Sequence, residues 1–560
     1  MSLESNEKTT HPRRDFLKYS ALATLALGLP RPGSSFIQNL AQEDLMNFSP
    51  IQLLSEGALM SKDFNGDNID RPHDILWNVD GYLAKKGGIP SPSQKRKVVV
   101  IGGGMSGLIS AYKLKEFNPL VLEQDKHFGG NSKGESLGGA TYSIGAAYVV
   151  APDKDSDIDH FFSELGLYDL MKQEHAEEMG FTYKQTLLKN FWSGASDPAR
   201  ANEFKIVDDE MRRIYNYAYP DIPWTPESAI SYEEYLALDS ISFDQWLKNT
   251  FGNVHPHILE YFQLYCWSSF TASIEEISAL QGLNFISAEV EGILALPGGN
   301  AAIAHKLCEK IIASTSPNSL RAGAFVLNIE VKANKLVWIT YEDSAGKVIT
   351  VEADTCIVST PKYVAKRVIP QMLDDQKKAM EKIMFRGYIV ANAFYSGSFT
   401  SPGFDVYCLE GKYPEPPAAM KPPKRAFSDV CFGTWAQDDK TKYGVMSIYK
   451  AIPYDGGRQF LFSPFAHDKN KKAVIEGLKD FEKTVGVNSS QFIGIRMTRW
   501  GHSIPVAQKN FIASGMPELI NRPINGRVFF ANQDNYANPA FETSFFSAEL
   551  AAQSVRAIIG

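Results

Sequence analysis

Lys97-Val-Val-Val-Ile-Gly-Gly-Gly-Met-Ser-Gly107 constrains the fold of this chain more than any other stretch. Residues 98–101 form a β-branched run that reads as a buried strand, and residues 108–117 read as a helix. Between them Gly102, Gly104 and Gly107 make a G-x-G-x-x-G turn. The first glycine permits the tight turn, the second lets the backbone approach a pyrophosphate, and the third lets helix and strand pack closely. The helix start, with Met105 and Ser106, presents free N–H groups and a positive dipole end to phosphate. Residues 119–123 read as a second strand. Glu123 at its end, followed by Gln124, is placed to accept two ribose hydroxyls. Strand, turn, helix, strand and acid in this order predict a dinucleotide-binding α/β unit.

A further glycine pair follows in Asp125-Lys-His-Phe-Gly-Gly130, which a plain NAD site does not require. With this pair the sequence resembles the flavin-containing amine oxidoreductases: monoamine and polyamine oxidases, protoporphyrinogen oxidase and phytoene-desaturase-like enzymes. The resemblance implies that Gly129 and Gly130 pass beneath the FAD diphosphate. Asn131 stands where the family usually has an arginine, with Lys133 as the substitute cation. Ser143-Ile-Gly-Ala-Ala-Tyr-Val149, Ser242-Phe-Asp-Gln-Trp-Leu247, Leu296-Pro-Gly-Gly-Asn300 and Gly526-Arg-Val-Phe-Phe-Ala-Asn-Gln-Asp534 are similar to later family segments, in family order. By this match the backbone of Val331 meets the adenine, and Asp534 reaches the ribityl or diphosphate end. N–H groups near Phe541 and Glu542 lie under the pyrimidine edge of the ring. The implied fold is an α/β FAD-binding Rossmann-like (GR2-type) domain interleaved with an α+β substrate-binding domain. The first takes residues 95–165, 290–375 and 490–560, and the second takes 166–289 and 376–489. Non-covalent FAD is expected, because no cysteine lies in residues 500–538.

Composition fits a large enzyme: 560 residues, 44% of them hydrophobic, supply cores for two or three lobes. A net charge of −7 argues against nucleic acid as a partner. Five cysteines without a C-x-x-C read as buried free thiols, and no metal site is expected. Pro12-Arg-Arg-Asp-Phe-Leu-Lys18 resembles a twin-arginine export signal, so residues 1–30 are read as a signal peptide. Its apolar stretch, residues 19–29, reaches about half of the roughly 30 Å hydrocarbon core. Periplasmic or exported delivery is expected, with membrane association if the signal stays uncleaved. Residues 31–94 read as an extension ending in a linker at 87–93. Within it, 48–60 is a candidate short helix, and the acidic run at 63–70 fits Asx-turns better than a calcium loop. Residues 335–351 read as a hairpin, and 390–395 and 458–463 as strands under the substrate pocket.

The implied chemistry is hydride transfer to flavin, with the protein holding the donor carbon in place. Many amine oxidases of the family carry a lysine on the strand matching residues 388–395, where this chain has Ala391 or Asn392. The family's paired cage tyrosines find no counterpart in Asn538-Pro-Ala-Phe-Glu542. Trp500 is expected to wall the pocket, His502 to serve as a base, and Arg386 to bind a carboxylate with its guanidinium fork. Three readings stay open. One is an exported FAD oxidase or dehydrogenase acting on the C–N bond of an amine, polyamine or amino acid. The others are a desaturase or C–C oxidoreductase on an apolar substrate, and a flavin-binding redox partner without turnover. Expected partners are a small-molecule substrate, oxygen or a quinone as electron acceptor, and the twin-arginine translocase.

Overall fold

The computed structural model describes residues 48–560 apart from 317, 414–422 and 438–440, so the export-signal reading lies outside the described residues. The β-branched run becomes the strand Gln94–Ile101, at the centre of a seven-stranded sheet. It is flanked by Leu120–Leu122 and Val348–Val358, both parallel to it. Val528–Phe530, far along the chain, adds parallel to Val348–Val358. Val337–Glu342 and Phe325–Val331 continue the sheet as an antiparallel meander, which confirms the expected hairpin. A parallel sheet must be covered on both faces, and alternation along Gln94–Ile101 shows how. Val98 and Val100 pack with the helices Met105–Lys113, Ala301–Ser314 and Phe541–Ile559. Val99 and Ile101 pack on the other side with Ala365, Val368, Ala379 and Ile520.

A second sheet, of eight strands, is built largely on Phe385–Ser396, which pairs antiparallel with Tyr443–Ile452 and Phe492–Pro505. Alternation again divides its faces. Tyr388 and Val390 join a core with the helices Phe243–Phe251, Pro256–Phe270 and Ala279–Ala288. Ile389 and Ala391 pack instead with Val474, Leu478 and Phe481 of the helix Ala466–Val485. A buried ion pair ties this sheet to a smaller one: Arg496 donates to both Glu135 oxygens, at 2.8 and 2.7 Å. Tyr142 donates to the same carboxylate at 2.8 Å.

Two expected elements differ. Residues 458–463 are not a strand: Gly457–Leu461 is a short helix entered through Gly456 at φ +83°. Its alternating aromatics imitated a strand, but Leu461 is the residue pressed onto Gly387 of the sheet. Of residues 48–60, the first part forms the strand Ile51–Leu53, parallel to Gly134–Leu137, and only Glu56–Met60 is helical, as a short 3-10 helix. Pro50 disfavours helix at the residue before it. At residues 63–70, Asn68 makes the expected Asx-turn, its Oδ1 accepting from the Asp70 N–H at 3.1 Å. Among the described residues, no helix is long and apolar enough to cross a membrane.

Candidate active site

The glycine turn opens onto a cavity of about 1490 Å³ that runs from the first sheet to the second. Gly102 sits at φ +102°, a conformation side chains rarely adopt, and Gly107 is packed so tightly that a methyl would overlap the Gly102 carbonyl oxygen. Gly104 is different. A methyl there would meet nothing nearer than Gly130 Cα at 3.6 Å and would project into space the turn keeps open. Gly104 and Gly129 pair across this floor, and Gly129 and Gly130 both have positive φ. The helix Met105–Lys113 starts here, aiming its N–H groups at the cavity.

Of the residues proposed to hold the cofactor, Gly102, Gly104, Met105, Ser106, Glu123, Gln124, Gly129, Gly130, Asn131, Asp534, Phe541 and Glu542 line this one cavity. Gly107 lies just beneath it. Glu123 is held by the N–H groups of Gly103 and Asp125, at 2.7 and 2.8 Å, and burial raises its pKa. Val331 is a correction. Both its backbone groups are taken by the Gln371 side chain, at 2.8 and 2.9 Å, and it lies outside the lining; Phe325 and Val326, at the start of the same strand, line the cavity instead. A bulge between Val326 and Asn328 separates the two positions. Lys133 is paired with Asp125, which holds the Asp125 carboxyl below its usual range.

The mix of unpaired acceptors and hydroxyls suits a flavin dinucleotide. Asp534 Oδ1, Asn300 Oδ1, Ser359 Oγ and Thr360 Oγ1 are buried without a protein hydrogen bond, and all four residues line the cavity. The other Asp534 oxygen accepts from the Lys362 N–H at 2.8 Å. Burial raises the Asp534 pKa and lowers that of Lys362. Asn300, Ser359 and Thr360 were missed because short polar residues in turns carry no signal beyond turn formation.

At the far end the cavity is walled by Trp500, Tyr148, Tyr388 and Tyr449. Trp500 Nε1 donates to the Ile144 carbonyl at 2.7 Å, which fixes the indole, and Tyr388 and Tyr449 meet at 6.0 Å and 73°. Two carboxyls lie among these rings. Glu289 accepts from Tyr148 and Tyr265, at 3.0 and 2.8 Å, and burial with nearby Glu542 and Glu174 pushes its pKa up to about 7. Asp429, also on the wall, is raised by burial, and its Oδ1 has no protein partner. Its neighbour Asp405 stands directly opposite Cys431 on the adjacent strand. No sequence pattern singles out these acids, because only the fold brings them together.

The remaining candidates divide. His502 lines the cavity and stacks on Tyr363 at 4.4 Å, but burial, with Arg458 and His73, pushes its pKa down to about 3. The ring is therefore neutral near pH 7 and a weak base, contrary to expectation. Arg386 is absent from the lining. Its fork is closed by Glu276 at 2.6 and 3.0 Å and by the Thr271 carbonyl at 3.1 Å, so it is a buried brace between elements, not a substrate anchor. Asn392 is also turned away, bonded to the Ser143 carbonyl and to Ser447.

Comparison with known proteins places this geometry. The chain is 22% identical over 514 residues to oxidoreductase PigB of Serratia sp. (strain ATCC 39006), covering 82% of this chain and 75% of that one. Its fold is similar to that of putrescine oxidase solved with putrescine bound, with a TM-score of 0.62 and 17% identity, over 83% of this chain and all of the other. Cyclohexylamine oxidase from Brevibacterium oxydans IH-35A gives a TM-score of 0.60 at 15% identity, over 83% of this chain and 99% of that one. The model of the flavin-containing amine oxidoreductases matches residues 105–555. This chain, an oxidoreductase, belongs to the flavin-containing amine oxidoreductase family.

Proposed function

We propose that the protein is an FAD-dependent oxidase or dehydrogenase of cationic amines, with FAD held non-covalently and oxygen or a quinone as final acceptor. One observation carries the reading: an aromatic-walled cavity presents the carboxyls of Glu289, Glu542 and Asp429. Burial holds Glu289 and Asp429 toward their neutral forms, whereas an ammonium stabilises their charged forms and is attracted to aromatic faces. Bound FAD supplies the hydride acceptor. The chain's own residues deliver the donor. Trp500, Tyr388 and Tyr449 exclude water and set the approach of the α-carbon, and the acids draw the cation in. An amine must shed its proton to donate hydride. Glu289, with a pKa of about 7, is able to take a proton near neutral pH, which His502 is not. Residues 12–18 add delivery by the twin-arginine route as a folded, FAD-loaded protein.

Anaerobic mixing with a panel of amines tests the reading: a substrate amine should bleach the flavin absorbance. Glu289→Gln should weaken that amine by about tenfold or more in kcat/KM, the scale of a lost charge-assisted contact. If no amine reduces the flavin while an apolar, lipid-soluble compound does, the amine reading is wrong.

A further inference from the structure

Residues 65–77 precede the family match, which begins at residue 105, yet they form one wall of the cavity. One end is fastened to the second sheet. Asn65 and Gly66 pair with Thr498 and Arg499. Asp67 Oδ1 accepts from Arg499 Nε at 2.9 Å, its Oδ2 accepts from the Gly501 N–H at 2.6 Å, and its own N–H donates to the Arg499 carbonyl at 3.1 Å. The other end is fastened to the first sheet and its flanking helix. Arg71 pairs with the buried Glu342 at 2.9 Å. Arg367 donates to the Leu76 carbonyl at 3.1 Å and lies 4.4 Å over the Trp77 ring. The segment therefore runs from the flavin end of the cavity, beside Trp500 and His502, to the adenosine end. There Arg71 lies 5.3 Å over Phe325, next to the Ala324 N–H that donates to the Glu123 carbonyl at 2.7 Å.

We propose that residues 65–77 are a retaining strap of the dinucleotide site: docked, they enclose FAD and set its rate of release, and FAD enters only while they are displaced. The proposal rests on the flavin reading above. A ligand enclosed between two lobes leaves only when the covering contacts open, so release follows the free energy of that local opening. Opening here breaks the Asp67 and Glu342 contacts at opposite ends. Each is charge-assisted, so losing one should speed opening by about tenfold or more.

The test uses the full-length holoenzyme. FAD release is followed by the rise in flavin fluorescence after dilution, and hydrogen exchange of residues 67–77 is compared between holoprotein and reversibly stripped apoprotein. Asp67→Ala and Glu342→Gln should each release FAD about tenfold faster or more, and exchange across 67–77 should be slower in the holoprotein. If Asp67→Ala fails to fold, Trp77→Ala decides, because that ring is 70% exposed and supports no core. Release within twofold of wild type in the folded variants, or equal exchange with and without FAD, overturns the strap. Wild-type protein lacking any flavin would instead overturn the flavin reading itself.

Discussion

Gly104 and Gly107 sit three residues apart and answer different demands. Gly107 is a packing glycine: Gly107→Ala drives a methyl into the Gly102 carbonyl and should destabilise the whole first sheet. Gly104 leaves its space to a ligand, so Gly104→Val should fold, with near-native circular dichroism, but emerge colourless. Full FAD occupancy in Gly104→Val would remove the diphosphate from this turn. Trp500→Ala should shift the flavin spectrum and slow its reduction without stripping FAD, since the phosphate and ribose contacts lie at the other end of the cavity. Native absorbance and native reduction rate in that variant would place the substrate elsewhere. These local demands were legible because a turn glycine is dictated by its own backbone. Val331 was read onto the adenine from resemblance alone, which does not fix the position along a strand, and Glu289 stayed invisible because an acid beside a helix end looks like any solvated acid.

At the scale of elements, the sheets were legible where runs of β-branched and aromatic residues are unbroken or bounded by turn residues, as in Gln94–Ile101, the 335–351 hairpin and the core of Phe385–Ser396. The segment 458–463 misled because six residues are too few to separate a period of two from one of 3.6. The docking of residues 65–77 had no local signal at all, since a two-residue strand exists only through its partner Phe492–Pro505. The second sheet is joined to the small sheet containing Gly134–Leu137 by the Arg496–Glu135 pair, whose side chains are 6% and 2% exposed. Glu135→Ala leaves a buried guanidinium without its partner and should lower stability by about 3–5 kcal/mol. Urea unfolding followed by tryptophan fluorescence measures this, and a loss below about 1 kcal/mol would show the joint to be solvated.

Across the whole molecule, the acids of the second lobe make stability depend on pH. Glu174 and Glu289 are pushed up to about 7 by burial from an ordinary value near 4.5. The native state thus holds protons the unfolded chain has released between these values. Their contribution is fully present below about pH 4.5 and is lost as pH rises through 7. The melting temperature should therefore fall from pH 6 to pH 8, and fall less in Glu289→Gln. A substrate amine should raise it more at pH 8 than at pH 6. An identical pH response in Glu289→Gln would show that this acid titrates normally. Export is testable in the cell: Arg13→Lys with Arg14→Lys should strand FAD-loaded protein in the cytoplasm, and unchanged delivery would exclude the twin-arginine route. The strand Val528–Phe530 carries one more consequence, concerning time. It enters the first sheet beside Val348–Val358, and the helix that follows packs on Met105–Lys113. A ribosome must therefore release the chain past residue 544, the last to line the cavity, before the nucleotide floor laid down at residues 98–107 acquires its far wall. Premature termination before residue 528 leaves a polypeptide with every phosphate-binding glycine but without the strand and helix start that complete the cavity, so flavin colour reports on completed synthesis as much as on folding.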